Sequence, residues 1–213
     1  PFGVVVDQAG RVYVSDRGNN RILVYRPPLA SGMDATFVIG QADFASATAN
    51  RGGTRAANTL FGPFGLALDR MGNLYAADLY NNRVLKYTGP AVTGASATRV
   101  FGQAGFTTAV AATTATGMSY PSGVAVDKDD NLWTAEDGNN RVLRFDAGAA
   151  AGNTTADLVL CQPDFTTGTG GTTASTCAAP YGVAVDHEGV VYVAEYSNHR
   201  VLRFTTLANG ASA

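Results

Sequence analysis

Two lysines, two histidines, two cysteines and a single tryptophan are all that 213 residues hold of those four types. Each scarcity removes a class of function. Thirteen arginines carry most of the positive charge without clustering into a basic stripe, and the net charge is -2. Phosphate neutralisation dominates polyanion affinity, so nucleic acid and anionic membranes are not expected partners. Two histidines cannot supply a three-imidazole zinc site, and a catalytic cysteine would lack a partnering base. No apolar run approaches the ~20 residues of a membrane-spanning helix, so no membrane insertion is expected. No Gly-Lys-Ser/Thr phosphate loop and no serine-centred elbow occurs. The stretch "DKDDN" (Asp127 to Asn131) is dense in acid but lacks the spacing of a calcium loop. Neither a metal nor a cofactor is expected. With 46% hydrophobic and 15% charged residues, what remains is a folded chain long enough to bury a core.

What is present is one phrase written four times: "SDRGNNRILVY" from Ser15, "DLYNNRVLKY" from Asp78, "EDGNNRVLRF" from Glu136 and "EYSNHRVLRF" from Glu195. The units open at Pro1, Pro63, Pro121 and Pro180, a spacing of 62, 58 and 59 residues. Each reads P-x-G-[VL]-[VA]-[VL]-D, a turn, an apolar run, an acid, then N-[NH]-R-[VI]-L-x-[YF]. From the proline to the arginine there is no insertion, and all length variation falls between the closing aromatic and the next proline. Short β-branched and aromatic runs such as "GVVVD", "RVYVSD" and "RILVY" are strands. "DQAG", "DRMG", "DKDD" and "DHEG" are tight turns between the first and second of them. A fourth strand is expected in "TFVIGQ", "TRVFGQ" and "DLVLCQ". Nothing has helical periodicity. Four short antiparallel strands per unit, repeated, predict an all-β fold, a β-propeller of four-stranded blades in one domain. The repeats are 1–62, 63–120, 121–179 and 180–213, the last without its fourth strand.

The string D-x-x-G-x-[LV]-Y-[VA]-[AS]-[DE]-x-x-N-[HN]-R-[VI]-L resembles the NHL repeat. The matching positions are Asn19-Asn20, Asn81-Asn82, Asn139-Asn140 and Asn198-His199, each followed by arginine. The departure is the period, since family units run near ~40 residues and these carry an insertion after the fourth strand. The resemblance implies a ring that commonly closes with six blades. Three explanations of the four units compete: part of a longer chain, a compact four-bladed form, or chains that complete one another in an oligomer. The first is preferred.

Residues present in every unit read as architecture. Asp16 and Arg21, Asp78 and Arg83, Glu136 and Arg141, and Glu195 and Arg200 sit at opposite ends of the loop joining strands two and three. A charge-assisted pair there would fix the loop. The alternative is a ring of ligand-binding arginines. The asparagine pairs suit a turn that bonds backbone groups or takes a left-handed conformation. Gly3, Gly65, Gly123 and Gly182 open the innermost strand, where a missing side chain lets blades approach. Asp7, Asp69, Asp127 and Asp186 are expected to cap the following turn.

Positions where the copies disagree are the candidates for recognition. In the loop between strands two and three these are Arg17, Leu79 with Tyr80, Asp137, and Tyr196. Aromatics and arginine dominate interaction hot spots. His199, which fills the slot of Asn20, Asn82 and Asn140, is a further binding candidate; His187 lies in a turn on the opposite face, so the two cannot share a metal. The insertions lie on the recognition face and each opens Gln-x-[Asp/Gly]-Phe (Gln41 to Phe44, Gln103 to Phe106, Gln162 to Phe165), with the phenylalanine expected to anchor the loop. Cys161 takes the slot of Gly40 and Gly102, and Cys177 that of Leu60 and Met118. The pair suggests a disulfide and an oxidising compartment, against two unrelated buried thiols.

The resulting expectation is a non-catalytic binding or assembly module, extracellular, at a cell surface or periplasmic, that contacts protein, glycan or its own kind. The alternative is a metal-dependent hydrolase or lyase with its site at the central channel, as in related propellers.

Overall fold

The computed structural model describes residues 1–90, 92–148 and 152–213. It is all β. The first sheet runs β1 (Val4–Val6), β2 (Val12–Asp16), β3 (Arg21–Tyr25) and β4 (Phe37–Ile39). The second runs β5 (Pro63–Leu68), β6 (Leu74–Asp78), β7 (Arg83–Tyr87) and β8 (Arg99–Phe101). The third comprises β9 (Pro121–Val126), β10 (Leu132–Glu136), β11 (Arg141–Phe145) and β12 (Leu158–Leu160). The fourth has three strands, β13 (Pro180–Val185), β14 (Val191–Glu195) and β15 (Arg200–Phe204). Every sheet is antiparallel and in sequence order, the blade of a propeller.

The turns follow the residues predicted for them. Asp127 accepts hydrogen bonds from the backbone N–H of Asp129 and Asn131, and its second oxygen takes the indole N–H of Trp133 at 2.9 Å. Asp7 and Asp186 do the same in their turns, with Tyr13 and Tyr192 in the tryptophan's place. In three of the four units a recurring acid thus holds both the turn and the next strand's aromatic.

The inner strands β1, β5, β9 and β13 lie side by side. The glycines permit this. A Cβ on Gly65 would sit 2.5 Å from the carbonyl oxygen of Ser122, and one on Gly123 would sit 2.8 Å from that of Tyr181. The core lies between blades rather than within them. One cluster joins the first two sheets (Tyr13, Ile22, Leu74, Leu85), one the second and third, and one the third and fourth. With both faces covered, strict alternation disappears, and all of β6 and all of β10 are buried.

The outer faces of the first and fourth sheets are different. Val4 is 64% exposed where its counterparts Leu66 and Val124 are 7% exposed. Val201 is 64% exposed where Val84 and Val142 are wholly buried. Both faces keep the apolar residues of a blade interface.

The glycine contacts yield a first prediction. Gly65→Ala forces a methyl into backbone and should cost about 1–3 kcal/mol in urea unfolding. Gly182, whose added Cβ would only touch Ala194 at 3.4 Å, should tolerate alanine at well under about 1 kcal/mol. Equal losses would contradict close blade approach as the reason for the glycine.

Candidate functional site

The β2–β3 loop is built round one side-chain constellation. The acid that ends β2, β6, β10 or β14 stands opposite the arginine that begins the next strand. Arg21 Nε donates to Asp16 at 2.8 Å and Arg83 Nε to Asp78 at 2.7 Å; Arg141 pairs with Glu136 and Arg200 with Glu195 in the same way. The first asparagine of each pair donates to the same acid: Asn19 to Asp16, Asn81 to Asp78, Asn139 to Glu136, Asn198 to Glu195. The second position is left-handed throughout, with φ of 52° at Asn20 and Asn82 and 51° at Asn140 and His199. Burial raises the Asp78 and Glu136 carboxyls, Glu136 to about 7, and the facing guanidinium opposes that rise.

The arginines also fasten the insertions. Arg83 donates from Nη1 to the carbonyl of Phe106 in the insertion that follows it. From Nη2 it donates to Ala56 (3.1 Å) and Thr59 (3.0 Å) in the insertion that precedes it. Arg141 repeats this with Phe165 (2.5 Å), Thr114 and Gly117 (2.9 Å each). Gln41, Gln103 and Gln162 then pin each loop, donating from Nε2 to the Asn20, Asn82 or Asn140 carbonyl and to a carbonyl seven residues on. The sequence marks these glutamines only as openings of the insertions. Their recurrence was the available signal for a structural role. The phenylalanines differ from one another: Phe106 and Phe165 pack on the core, whereas Phe44, beside the uncovered face of the first sheet, is exposed. What recurs at this position is the carbonyl that the arginine grips.

Cys161 and Cys177 form a disulfide. Its origin lies in the slots the two residues occupy. A Cβ on Gly40 would run into Leu60 at 2.5 Å, and one on Gly102 into Met118 at 2.4 Å. In the third insertion the cysteine side chain at 161 points in that direction, and a cysteine at 177 replaces the apolar residue it would meet.

Pro63 pairs with Asp78, Pro121 with Glu136 and Pro180 with Glu195, so inner-strand starts and β2–β3 loops share one end of the propeller. An aromatic cluster gathers there. Phe2 stacks on Phe64 (4.6 Å between centroids), Phe64 meets Tyr181 edge-on (5.8 Å), and Tyr181 lies on Tyr196 (5.1 Å). A second arm runs Phe61–Tyr80 (4.8 Å) and Tyr80–Tyr120 (6.2 Å). Arg17 joins the arms, its guanidinium 4.9 Å from the Phe2 ring, 5.5 Å from Phe64 and 5.3 Å from Tyr80, with Nη2 donating to the Tyr80 hydroxyl at 2.5 Å. Burial raises the Tyr181 hydroxyl, and the Asp137 charge adds to it. Burial alone raises the Asp137 carboxyl.

This end also tests the channel as a metal site. Among the described residues, no three His, Cys, Asp or Glu side chains gather as ligands. The acids that end β2, β6, β10 and β14 are engaged by arginine and asparagine, and the turn acids by backbone N–H groups. The described residues at this end do not by themselves assemble a metal site.

The profile described as SMP-30/gluconolactonase/LRE-like region matches residues 3–160, well over half of the chain. The chain belongs to this family. An NHL-repeat profile matches residues 179–204, within the fourth blade. No curated protein sequence matches the chain. Among solved structures, a streptogramin B lyase is similar over 95% of this chain and 50% of its own, at 16% identity and a TM-score of 0.53. A protein of unknown function from Bacteroides thetaiotaomicron covers 94% of this chain and 46% of its own, at 17% identity and a TM-score of 0.63. Hydrazine synthase from Kuenenia stuttgartiensis covers 100% and 50%, at 13% identity and 0.56. Likeness at such identity concerns the fold alone. The chain spans about half the length of these solved structures.

Of the variable loop residues, Arg17, Tyr80, Asp137 and Tyr196 come together at this end. Leu79 does not take part. It is buried, because the single 3-10 turn Leu79–Asn81 points it into the protein and its neighbour Tyr80 outward. His199 is exposed in the left-handed turn position and makes none of the contacts that define the cluster. Phe2, Phe61, Phe64, Tyr120 and Tyr181 were missed in the sequence. The second residue of each unit (Phe2, Phe64, Ser122, Tyr181) carried a signal for three of them.

Two stability predictions follow from the loop chemistry. Arg83 is fully buried and Arg21 is 17% exposed, with fewer carbonyl partners. Arg83→Met should therefore cost about 3–5 kcal/mol by stranding Asp78. Arg21→Met should cost about 1–2 kcal/mol. Chemical denaturation of both variants checks the order. For the disulfide, Cys161→Ser with Cys177→Ser should lose about 3 kcal/mol. Cys161→Gly with Cys177→Met should recover part of that by restoring the packing of the second insertion. Failure of the glycine-methionine pair to exceed the serine pair would reject the slot argument.

Proposed function

We propose that this chain is a non-catalytic binding module, placed outside the cytoplasm, that holds a protein or glycan partner on its loop-rich end. The observation that carries this reading is the aromatic and arginine cluster. It draws side chains from the first, second and fourth blades, and Phe2, Tyr80, Tyr120, Tyr181 and Tyr196 are all partly exposed. Rigid aromatic rings with an arginine among them give large contact area at little entropic cost. The insertions frame that end and are each held at several carbonyls, so the surface is pre-organised. The disulfide supports an oxidising compartment. None of the described helical turns is long and apolar enough to cross a membrane.

A second reading is a hydrolase or lyase. It is favoured by membership of a family whose description includes gluconolactonase and by the fold shared with a lyase. The donor set counts against its metal-dependent form.

The two readings separate in one set of measurements. Wild type, Tyr196→Ala and Arg17→Ala are applied to glycan and peptide arrays, and turnover of simple lactones is followed with and without EDTA. The binding role predicts retained array signals that fall at least about tenfold in both variants while near-ultraviolet circular dichroism is unchanged. Lactone turnover abolished by EDTA, with array signals indifferent to the variants, would replace it with the enzyme.

A further inference from the structure

Arg17 and Asp137 are each tied to one residue of the Tyr80–Tyr120 pair. Arg17 bonds the Tyr80 hydroxyl, and the Asp137 backbone N–H donates to the Tyr120 carbonyl at 3.1 Å. The rings of Tyr80 and Tyr120 meet edge to face. Tyr181 feels the charges of both.

Neither has a counter-ion. Among the described residues Arg17 enters no salt bridge, whereas Arg21, Arg83, Arg141 and Arg200 at the same end all do. It lies instead near three rings, and the Tyr80 hydroxyl uses one of its five N–H donors. A stacked guanidinium with free donors is pre-set for a carboxylate. Asp137 is half-buried and no cation lies beside it among the described residues, although desolvation makes a lone carboxylate costly. The two do not pair with each other across the rings.

A surface with an unpaired cation, an apolar floor and an unpaired anion is complementary to a ligand bearing the three groups in the opposite order. We infer that the loop-rich end binds an extended polypeptide segment of a partner protein, with an acidic side chain at Arg17, an apolar or aromatic one over Tyr80 and Tyr120, and a basic one at Asp137. Peptide is favoured over glycan by the second charge. An acidic sugar supplies the anion, but neutral and N-acetylated sugars have no cation for Asp137. The inference rests on the binding role proposed above and narrows its ligand.

The test is a random dodecapeptide library displayed on phage, selected on the whole chain. Enriched sequences are then synthesised and their affinities measured by fluorescence anisotropy with wild type, Arg17→Gln, Asp137→Asn and Tyr196→Ala. The expected consensus carries Asp or Glu and Lys or Arg flanking an apolar residue. Arg17→Gln should weaken it about tenfold, and Asp137→Asn likewise. Each loss should vanish when the peptide's matching charge is also removed. A consensus without the charge pair, or losses that persist whatever the peptide carries, overturns the peptide inference. If a glycan array gives the only ligands, and Tyr196→Ala abolishes them while Arg17→Gln and Asp137→Asn do not, the inference fails and the binding role stands. If neither library nor array gives a ligand that depends on Tyr196, both fail. Unchanged near-ultraviolet circular dichroism of the variants confirms that the changes in affinity are local.

Discussion

A buried guanidinium needs its N–H groups bonded and its charge met, and Arg83 bonds four of its five N–H groups and meets its charge by reaching into three segments at once. Its Nε meets the acid across its own hairpin, one terminal nitrogen takes a carbonyl from the insertion ahead, and the other takes two from the insertion behind. Removing any one segment would leave donors stranded in a dry site. The blade, its hairpin and two neighbouring insertions are therefore coupled, and Arg141 couples the next set in the same way. This explains why insertions rich in glycine, alanine and threonine, with little apolar surface to bury, are nonetheless ordered. Their backbone carbonyls, gripped by arginine and glutamine, hold them together with a few buried side chains.

That arrangement sets the condition for recognition. Aromatic rings can serve as a platform only if their separations are constant, and here Asn20, Asn82 and Asn140 reinforce the spacing by linking adjacent units. Each donates to a carbonyl of the following insertion and accepts from the backbone N–H at the start of the next blade: Gly62, Tyr120 and Ala179. Tyr120 is thus fixed from both sides, by Asn82 through its own N–H and by Asp137 through its carbonyl. The variable residues stand on an invariant lattice. The lattice recurs from blade to blade, and what it displays differs from blade to blade.

The uncovered faces of the first and fourth sheets follow from the same logic of repetition. Each blade is apolar on both sides because its neighbours in the ring are blades. Val4 and Val201 are written as interior residues and stand outside only because no described residue covers them. The exposed Phe44 belongs with them. Its counterparts Phe106 and Phe165 pack against the clusters that join their own blade to the one before.

How much could be read beforehand depended on whether a residue recurs. The acid five positions before each arginine, the left-handed second asparagine and the glycine of each inner strand all appear at constant offset, so spacing picked them out as architecture while leaving a ring of ligand-binding arginines as the alternative. The disulfide was legible because both cysteines fill slots whose other occupants are known. The single turn that buries Leu79 while exposing Tyr80 was not, since adjacent residues in a loop have no periodicity to assign their directions. Nor was the cluster, because Phe2, Tyr80, Tyr120 and Tyr196 are separated by tens of residues and meet only when four inner strands lie side by side. Sequence determined the repeat, the strands and the local hydrogen bonds, which are short-range and follow from residue order. Only tertiary structure decided which unlike side chains from different blades share one surface, because that depends on how the blades stack.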